Sequence, residues 1–338
     1  MEVSVEPLLS IILPVFNTGK YLGDCLSALV SQEGIYPYEV IAVDDASTDD
    51  SPQILEAFVA NHPNLIRVIH RRENGGLCAA RNDGLAAAKG TWVTFTDSDD
   101  LPHSDYVLTL VRAALTHDAA DCACAGFDLM DAEGRIRKPR IKAFRGSLYP
   151  LAAAMKLLFD CSVRGYVWNK IFRRQMLLDN GIRFFDHRQG FEDLPFVFAA
   201  FLCSRQVSFV RKACYTYRYQ RPGSLTRGGL GPWRLQDHVC SFFACRAFAD
   251  AHIGIKAAIK MFRKARFRIF FSLLADIPSH SKKAGLDHPV KILNRAIKFL
   301  RRRELPVYGA PWETAVMDYV EPQSNFVSFN PRRSRHGK

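Results

Sequence analysis

The first hundred residues alternate nearly continuous apolar runs with amphipathic stretches. The apolar runs have the length and composition of buried parallel strands, and they cover residues 8–15, 39–45, 65–71 and 91–97. Hydrophobic residues at helical spacing separate these runs, over residues 20–32, from Ser51 onward and over 77–90. The resulting order β-α-β-α-β-α-β predicts a parallel, doubly wound α/β sheet.

The pattern becomes more mixed further along the chain. Gly90 predicts the end of the third helix. A helix with an apolar face around Leu110 then leads to a predicted strand at residues 121–129. Residues 135–150 are basic and punctuated by proline and glycine, which indicates an exposed loop or hairpin, and residues 208–219 alternate like a strand.

A glycine-rich break near residues 228–233 precedes a basic, helical last third of the chain. We therefore expect a main domain over residues 1–230, divided into halves at about 1–110 and 111–230. A mainly helical C-terminal region, with a loosely ordered tail, is expected over 231–338.

Composition places the chain among globular proteins large enough to bury a sizeable core. It has 338 residues, of which 48% are hydrophobic, and no apolar run approaches the length of about 18 to 20 residues that a membrane-spanning helix needs. The N-terminal residues lack a signal peptide, so a cytosolic protein is expected. Nine cysteines, an odd number without a Cys-x-x-Cys pair, predict reduced and mostly buried thiols.

The net charge of +12 lies in the last third of the chain. From residue 231 onward there are 20 Lys and Arg against 8 Asp and Glu, so the first 230 residues balance at 26 of each. Over residues 256–274 the bases interleave with aromatic residues on one helical arc, opposite an apolar arc that begins at Ile255. This pattern favours an anionic membrane surface, and no nucleic-acid recognition motif accompanies it.

Three of the predicted strands end in polar residues that are typical of binding sites: Asn17, Asp44 and Asp45, and Asp97, Asp99 and Asp100. In open parallel sheets, ligands bind at these carboxyl ends. The chain has no Gly-rich dinucleotide or P-loop motif, which disfavours those two classes of protein.

Asp97 and Asp99 are two residues apart, so both side chains can point the same way. Paired carboxylates suit Mg²⁺ or Mn²⁺, whose coordination is usually completed by water and substrate phosphates. The alternative is a turn in which Asp99 or Asp100 accepts hydrogen bonds from local backbone N–H groups. This alternative suits Asp100 and does not explain Asp97.

Six motifs in order identify a resemblance to the family 2 glycosyltransferases of GT-A fold, over about residues 8–227. They read SIILPVFN, EVIAVDDASTDDS, ENGGLCAARNDGLAAAKGTWVTFTDSDDLP, YVWNKIFRR, GIRFFDHRQGFEDLPFVFAAF and YTYRYQRPGSLTR. The resemblance implies a GT-A domain and inverting, Mn²⁺- or Mg²⁺-dependent transfer from a nucleotide-diphosphate sugar, such as a UDP-sugar. It further implies a glycan acceptor in the synthesis of bacterial surface polysaccharide. The basic helical pattern adds the hypothesis that the last third docks the enzyme on the cytoplasmic face of the inner membrane, near a lipid-linked acceptor.

The resemblance also assigns roles to matching residues. On the donor side it implies that Pro14 and Phe16 contact the base, that Asp45 bonds uracil and that Arg81 lines the nucleotide site. Asp97 would lie near the ribose and phosphates, with Asp99 as the metal ligand. The remaining matches are Asp193 beside Glu192 as the general base, Arg221 and Ser224 at the diphosphate, and Trp168, Asn169 and Lys170 on the acceptor side.

Some of these positions have a simpler interpretation. Asp193 could cap a helix, although burial and Glu192 would also raise its pKa toward a useful range. Trp168 could belong to the core, and Tyr217 and Tyr219 could pack or stack on a sugar. Two other classes of protein stay open, a nucleotidyltransferase of related fold and a non-catalytic membrane or nucleic-acid binding module.

Overall fold

A computed structural model describes residues 6–139, 143–159, 162–184, 191–219 and 232–274. Its N-terminal half consists of β1 (Leu9–Val15), α1 (Gly19–Val30), β2 (Tyr38–Asp44), α2 (Ser51–Asn61), β3 (Ile66–His70), α3 (Leu77–Ala87) and β4 (Trp92–Phe95). Strand β1 pairs in parallel with β2 and with β4, and β2 pairs in parallel with β3. The predicted doubly wound sheet is confirmed, because the strand order reverses at β1.

The second half extends the same sheet. It consists of β5 (Leu101–Pro102), α4 (Tyr106–Leu115), β6 (Ala120–Met130), β7 (Ile136–Arg137), β8 (Gly146–Leu148), α5 (Pro150–Phe159), β9 (Lys170–Arg173), α6 (Arg174–Asp179), α7 (Asp193–Cys203), β10 (Gln206–Arg218), α8 (Pro232–Ile253) and α9 (Ile255–Leu274). Strand β9 lies antiparallel between β4 and β6, and β10 runs parallel to β6. The order along the sheet is β3-β2-β1-β4-β9-β6-β10-β5.

Hydrophobic residues fill both faces of this sheet. One core joins the strands to apolar residues of α1 and α4, such as Leu26 and Leu110. The other joins them to α3, α5 and α7, and it also contains Phe242 of α8 and Phe262 of α9. The first two helices after residue 230 therefore share a core with the sheet.

Close packing requires glycine at two positions, one in α3 and one in the turn that follows α3. A Cβ at Gly84 would lie 2.4 Å from Ile12 Cγ2, so α3 can approach β1 only with glycine at this position. The prediction that Gly90 ends the helix was wrong, since α3 ends at Ala87 and Gly90 lies beyond its cap. A Cβ at Gly90 would lie 2.6 Å from the backbone nitrogen of Ser10.

Helix α9 is amphipathic over its described side chains. Lys256, Lys260 and Arg263 are exposed and Phe262 is buried, as predicted, and Met261 is buried beside Phe262. The apolar arc does not include Ile255, however, which is 48% exposed at the start of the helix. Among the described residues no helix is long and apolar enough to cross a membrane.

The thiols follow the sequence prediction. None of the eight cysteines that the structure describes forms a disulfide, and all of them except Cys203 are buried. In a hydrophobic interior such thiols behave as small apolar groups.

Candidate active site

The residues that end β1, β2 and β4 meet at one edge of the sheet. Pro14 lies buried within β1, whereas Phe16, two residues later, is 47% exposed. The hydroxyls of Thr18 and Ser98 form a buried hydrogen bond of 2.9 Å that joins the ends of β1 and β4. The structure therefore presents Phe16 as an open aromatic surface beside the acidic end of β4.

Asp45 organises the loop that follows β3. Its carboxylate accepts hydrogen bonds from the backbone N–H groups of Gly75 at 2.9 Å and Gly76 at 2.7 Å, and it pairs with the Arg71 guanidinium. Gly76 has a φ of 88°, which favours glycine. The sequence did not reveal this use of Asp45 or of the Asn74-Gly75-Gly76 turn, and the contact of Asp45 with uracil stays a prediction.

Arg81 brings together carboxylates that are far apart in the sequence. Its Nη2 contacts Asp97 Oδ1 at 2.9 Å, and its Nη1 contacts Glu192 Oε1 at 2.9 Å and Asp193 Oδ1 at 2.8 Å. The Arg81 side chain is only 1% exposed, and its guanidinium lies 5.1 Å from the ring centre of Phe184. Burial disfavours the charged form, but the three carboxylates hold the pKa of Arg81 above its ordinary value.

Asp193 is the first residue of α7, and Glu192 precedes it at the N-cap position. Neither side chain caps the helix, so the capping interpretation of Asp193 is not what the structure shows. The second carboxylate oxygen of Asp193 accepts a hydrogen bond from the backbone N–H of Val167 at 3.3 Å.

The pKa of Asp193 is raised to about 7. Burial is the largest cause, Glu192 and Asp97 add to it, and Arg81 opposes it. This direction agrees with the expectation from the sequence. A carboxylate with such a pKa exchanges its proton near neutral pH, which is what a general base requires.

The three acids after β4 have different environments. The Asp97 side chain is 26% exposed, and Asp99 is half-buried. Asp100 is fully buried, and its carboxylate accepts hydrogen bonds from the Tyr215 hydroxyl at 3.0 Å and the Arg218 backbone N–H at 2.8 Å.

These contacts correct the expectation that the Asp100 carboxylate accepts hydrogen bonds from local backbone groups, although the Asp100 N–H does close a turn on the Asp97 carbonyl at 3.1 Å. Its carboxylate partners belong to β10, more than a hundred residues away in the sequence. Burial raises the pKa of Asp100, and the charges of Asp99 and Asp97 raise it further. The Tyr215 hydroxyl also accepts the backbone N–H of Asp97 at 3.1 Å, so β10 supports the whole acidic turn.

The segment predicted to line the acceptor side lies in the interior instead. Trp168, Asn169 and Lys170 are each exposed by 5% or less. The Trp168 ring stacks on Tyr215 with centroids 4.6 Å apart and on Tyr166 at 4.7 Å. The core interpretation of Trp168 therefore fits, and its contact with Tyr215 gives it an indirect supporting role at the acidic turn.

Lys170 fixes the backbone of this segment at the place where the segment contacts Asp193. Its ammonium donates hydrogen bonds to the carbonyls of Arg164 at 2.8 Å and Tyr166 and to the Asn169 side-chain oxygen at 2.9 Å. Burial lowers the pKa of Lys170. Val167, which donates its N–H to Asp193, lies in the segment that Lys170 fixes. Lys170 therefore supports Asp193 indirectly, from within the protein interior.

The donor set at the end of β4 fits a divalent cation that is shared with a ligand. Within the described ranges, no group of three or more His, Cys, Asp or Glu side chains could hold a metal by itself. Asp97 and Asp99 nevertheless supply two partly exposed carboxylates, and Mg²⁺ is commonly bound by one or two carboxylates together with substrate phosphates. Arg221 and Ser224, expected at the diphosphate, lie outside the described residues.

The mostly parallel sheet, with acids at the carboxyl ends of its strands, has the GT-A fold, and a family match agrees with it. Residues 10–181 match the family described as Glycosyl transferase family 2. The chain belongs to this family.

Relatives and a solved structure agree with this assignment. Two proteins of Bacillus subtilis (strain 168) that are named glycosyltransferases are similar to the chain. EpsH is 34% identical over 63% of this chain and 61% of its own length, and EpsJ is 31% identical over 75% and 73%. The chain thus spans less than two thirds of EpsH.

The crystal structure of S. aureus TarS 1-349 in complex with UDP superimposes with a TM-score of 0.59 over 94% of this chain and 93% of that one, at 20% identity. That similarity supports the GT-A fold.

Proposed function

We propose that this glycosyltransferase moves a sugar from a UDP-sugar to an acceptor hydroxyl, with inversion and with the help of Mn²⁺ or Mg²⁺. One observation carries the proposal. Asp193, with a pKa of about 7, is joined through the buried Arg81 to Asp97 at the end of β4. A group suited to accept a proton is thus linked to the acids suited to hold a donor.

In an inverting transfer one base removes the proton of the acceptor hydroxyl while the sugar leaves its diphosphate. Asp193 suits the role of base because its carboxylate is held on two sides, by Arg81 and by the Val167 N–H. Glu192 supports the base electrostatically, since its charge raises the pKa of Asp193. A rigid helix start gives this base a fixed position.

The donor would lie along the ends of β1, β2 and β4. The exposed ring of Phe16 offers a surface on which the nucleotide base could stack. Asp99 and Asp97 would hold the cation at the diphosphate. A divalent cation there supplies charge that stabilises the departing nucleoside diphosphate. TarS, solved with UDP, supports the choice of a uridine nucleotide.

The acceptor is proposed to be a glycan or a lipid-linked glycan of a bacterial surface polysaccharide. TarS is named a poly(ribitol-phosphate) beta-N-acetylglucosaminyltransferase, and it is 30% identical over 63% of this chain. The alternative of a nucleotidyltransferase is less well supported, because the turn after β1 lacks the basic, Gly-rich signature that such enzymes generally need.

A panel of UDP-, GDP- and dTDP-sugars, each with and without Mn²⁺, tests the donor by thermal shift. We expect a UDP-sugar with Mn²⁺ to raise the unfolding temperature most.

The rate of transfer with that donor should then fall by at least about a hundredfold in Asp193→Asn, with UDP binding retained. Asp118→Asn, an exposed acid in the α4–β6 turn, is the matched control. Full transfer by Asp193→Asn would contradict the proposal.

We further propose that α9 docks the enzyme on the cytoplasmic face of the membrane. The exposed bases Lys256, Lys260, Arg263 and Lys264 are adjacent on this helix. Vesicles rich in phosphatidylglycerol should sediment the protein at low salt, and pure phosphatidylcholine vesicles should not. Replacing these four bases by glutamine should reduce sedimentation. Equal sedimentation before and after replacement would exclude α9 as the docking surface.

A further inference from the structure

Phe191, the residue before the acid pair, has a left-handed backbone conformation. Its φ is 60°, which is unfavourable for a residue with a Cβ. Such residues persist where the surrounding structure holds them, and they often lie at functional sites. Glu192 and Asp193 follow directly, so the conformation of Phe191 sets the direction in which both acids leave the chain.

Helix α8 supplies the contacts that hold Phe191. The Ser241 hydroxyl donates a hydrogen bond of 2.8 Å to the Phe191 carbonyl oxygen. The His238 ring stacks on the Phe191 ring with centroids 3.9 Å apart and planes 4° apart, and it also stacks on Phe242 at 5.1 Å. His238 and Ser241 are both buried, so these contacts are shielded from water.

The chain reversal at Phe191 has a direct geometric consequence. Glu192 returns to ordinary helical angles, with φ −66° and ψ −28°, and α7 begins at the next residue. Both carboxylates then lie on Arg81 Nη1, at 2.9 Å and 2.8 Å. The φ of Phe191 determines how the chain enters the start of α7, where both acids lie.

We propose that His238 and Ser241 are positioning residues for the acid pair. The start of α8 is then part of the active-site machinery, although it lies beyond the region 10–181 that matches the family. The effect on catalysis rests on the proposed role of Asp193. The effect on the conformation of residues 191–195 does not depend on that role.

Ser241→Ala tests this inference, and the chain offers a matched control. Ser204, at the other end of α7, also donates its hydroxyl to a phenylalanine carbonyl, that of Phe201, at 2.8 Å. Hydrogen–deuterium exchange should become faster at residues 191–195 in Ser241→Ala and stay unchanged there in Ser204→Ala. Ser241→Thr, which keeps the hydroxyl, should restore slow exchange.

Kinetics with the donor identified in the thermal-shift panel give the second readout. Ser241→Ala should lower kcat about five- to tenfold, because a lost hydrogen bond frees the acid pair, and change KM for the donor less than about twofold. Ser204→Ala should leave kcat unchanged. A role confined to stability would lower the unfolding temperature of both variants and leave both kcat values intact, which would overturn the inference.

His238 provides an independent variant should Ser241→Ala fail to fold. His238→Phe keeps a flat ring for stacking and should retain kcat and slow exchange at residues 191–195, whereas His238→Leu should lose both. Loss of Mn²⁺-dependent UDP binding in His238→Phe would instead make the imidazole a metal ligand and would overturn the positioning role. Altered exchange without any transfer activity in the parent protein would leave the positioning intact and reject the proposed function.

Discussion

Replacement of Asp193 by asparagine should change the pH dependence of stability as well as catalysis. The ordinary pKa of an aspartate is 3.8, and in the folded protein that of Asp193 is about 7. Between these two values the folded chain keeps a proton that the unfolded chain has released. The contribution of Asp193 to the free energy of unfolding therefore falls as the pH rises through this window, and this contribution is constant above it.

The size of this effect follows from the two pKa values. Each pKa unit corresponds to about 1.4 kcal/mol of free energy. Between about pH 5.5 and the folded-state pKa of about 7 lie roughly 1.5 units, so Asp193 should cost the wild type about 2 kcal/mol between about pH 5.5 and about pH 8. An asparagine side chain cannot be charged, so the Asp193→Asn variant escapes this loss. Relative to the wild type, it should gain about 2 kcal/mol on going from about pH 5.5 to about pH 8.

Urea unfolding of both proteins at these two pH values, at constant ionic strength, measures this difference. Asp121→Asn is the matched control. Burial acts to raise the pKa of Asp121, but hydrogen bonds from Arg205 and Arg173 hold it below its ordinary value, so it is charged in the folded and unfolded chain at both pH values. The loss of unfolding free energy in Asp121→Asn should be the same at the lower and the higher pH. If Asp193→Asn also changed the free energy of unfolding by the same amount at both pH values, the raised pKa of Asp193 would be refuted.

Two further predictions concern the metal and the sheet. Asp99→Asn should weaken Mn²⁺-dependent UDP binding by at least about tenfold in calorimetry, because a carboxylate ligand is lost, and Asp118→Asn should not; equal affinities would remove Asp99 from the metal site. Gly84→Ala should lower stability by about 1 to 3 kcal/mol, since the new methyl group would meet Ile12, whereas Gly23→Ala in α1 meets nothing within 4 Å and should raise stability by about 0.5 to 1 kcal/mol. Chemical denaturation checks both glycine variants, and a stable Gly84→Ala would show that α3 can move away from β1.

The apolar runs were sufficient to locate β1, β2 and β4 because these strands are buried along all or most of their length. Strand β1 is buried at all seven of its positions, so its apolar run coincides with the element. Periodicity does not contain the order of strands. The antiparallel insertion of β9 between β4 and β6 depends on long-range pairing, which no local pattern encodes.

The site residues show the same limit at the level of single side chains. Asp100 was interpreted as a turn former because its nearest sequence neighbours are Leu101 and Pro102, yet its carboxylate partners belong to β10. Trp168 and Lys170 were expected on the acceptor side from the motif, whereas both side chains are buried in the structure. A motif gives the residue type at a position, and only the packing decides which way the side chain faces.

The buried Arg81 guanidinium joins two parts of the site, the acid at the end of β4 and the acid pair at the start of α7. Three carboxylates around a single guanidinium leave the cluster with excess negative charge, which is costly in a buried setting. Protonation of one acid relieves this cost, and the raised pKa of Asp193 indicates that Asp193 is the acid that takes up the proton. A divalent cation bound beside Asp97 would add positive charge and favour the ionised form of Asp193. With the donor saturating, added Mn²⁺ would therefore favour the ionised base, which predicts that saturating Mn²⁺ lowers the pH at which kcat reaches half its maximum. A pH profile that is the same at limiting and saturating Mn²⁺ would show that the two halves of the site act independently.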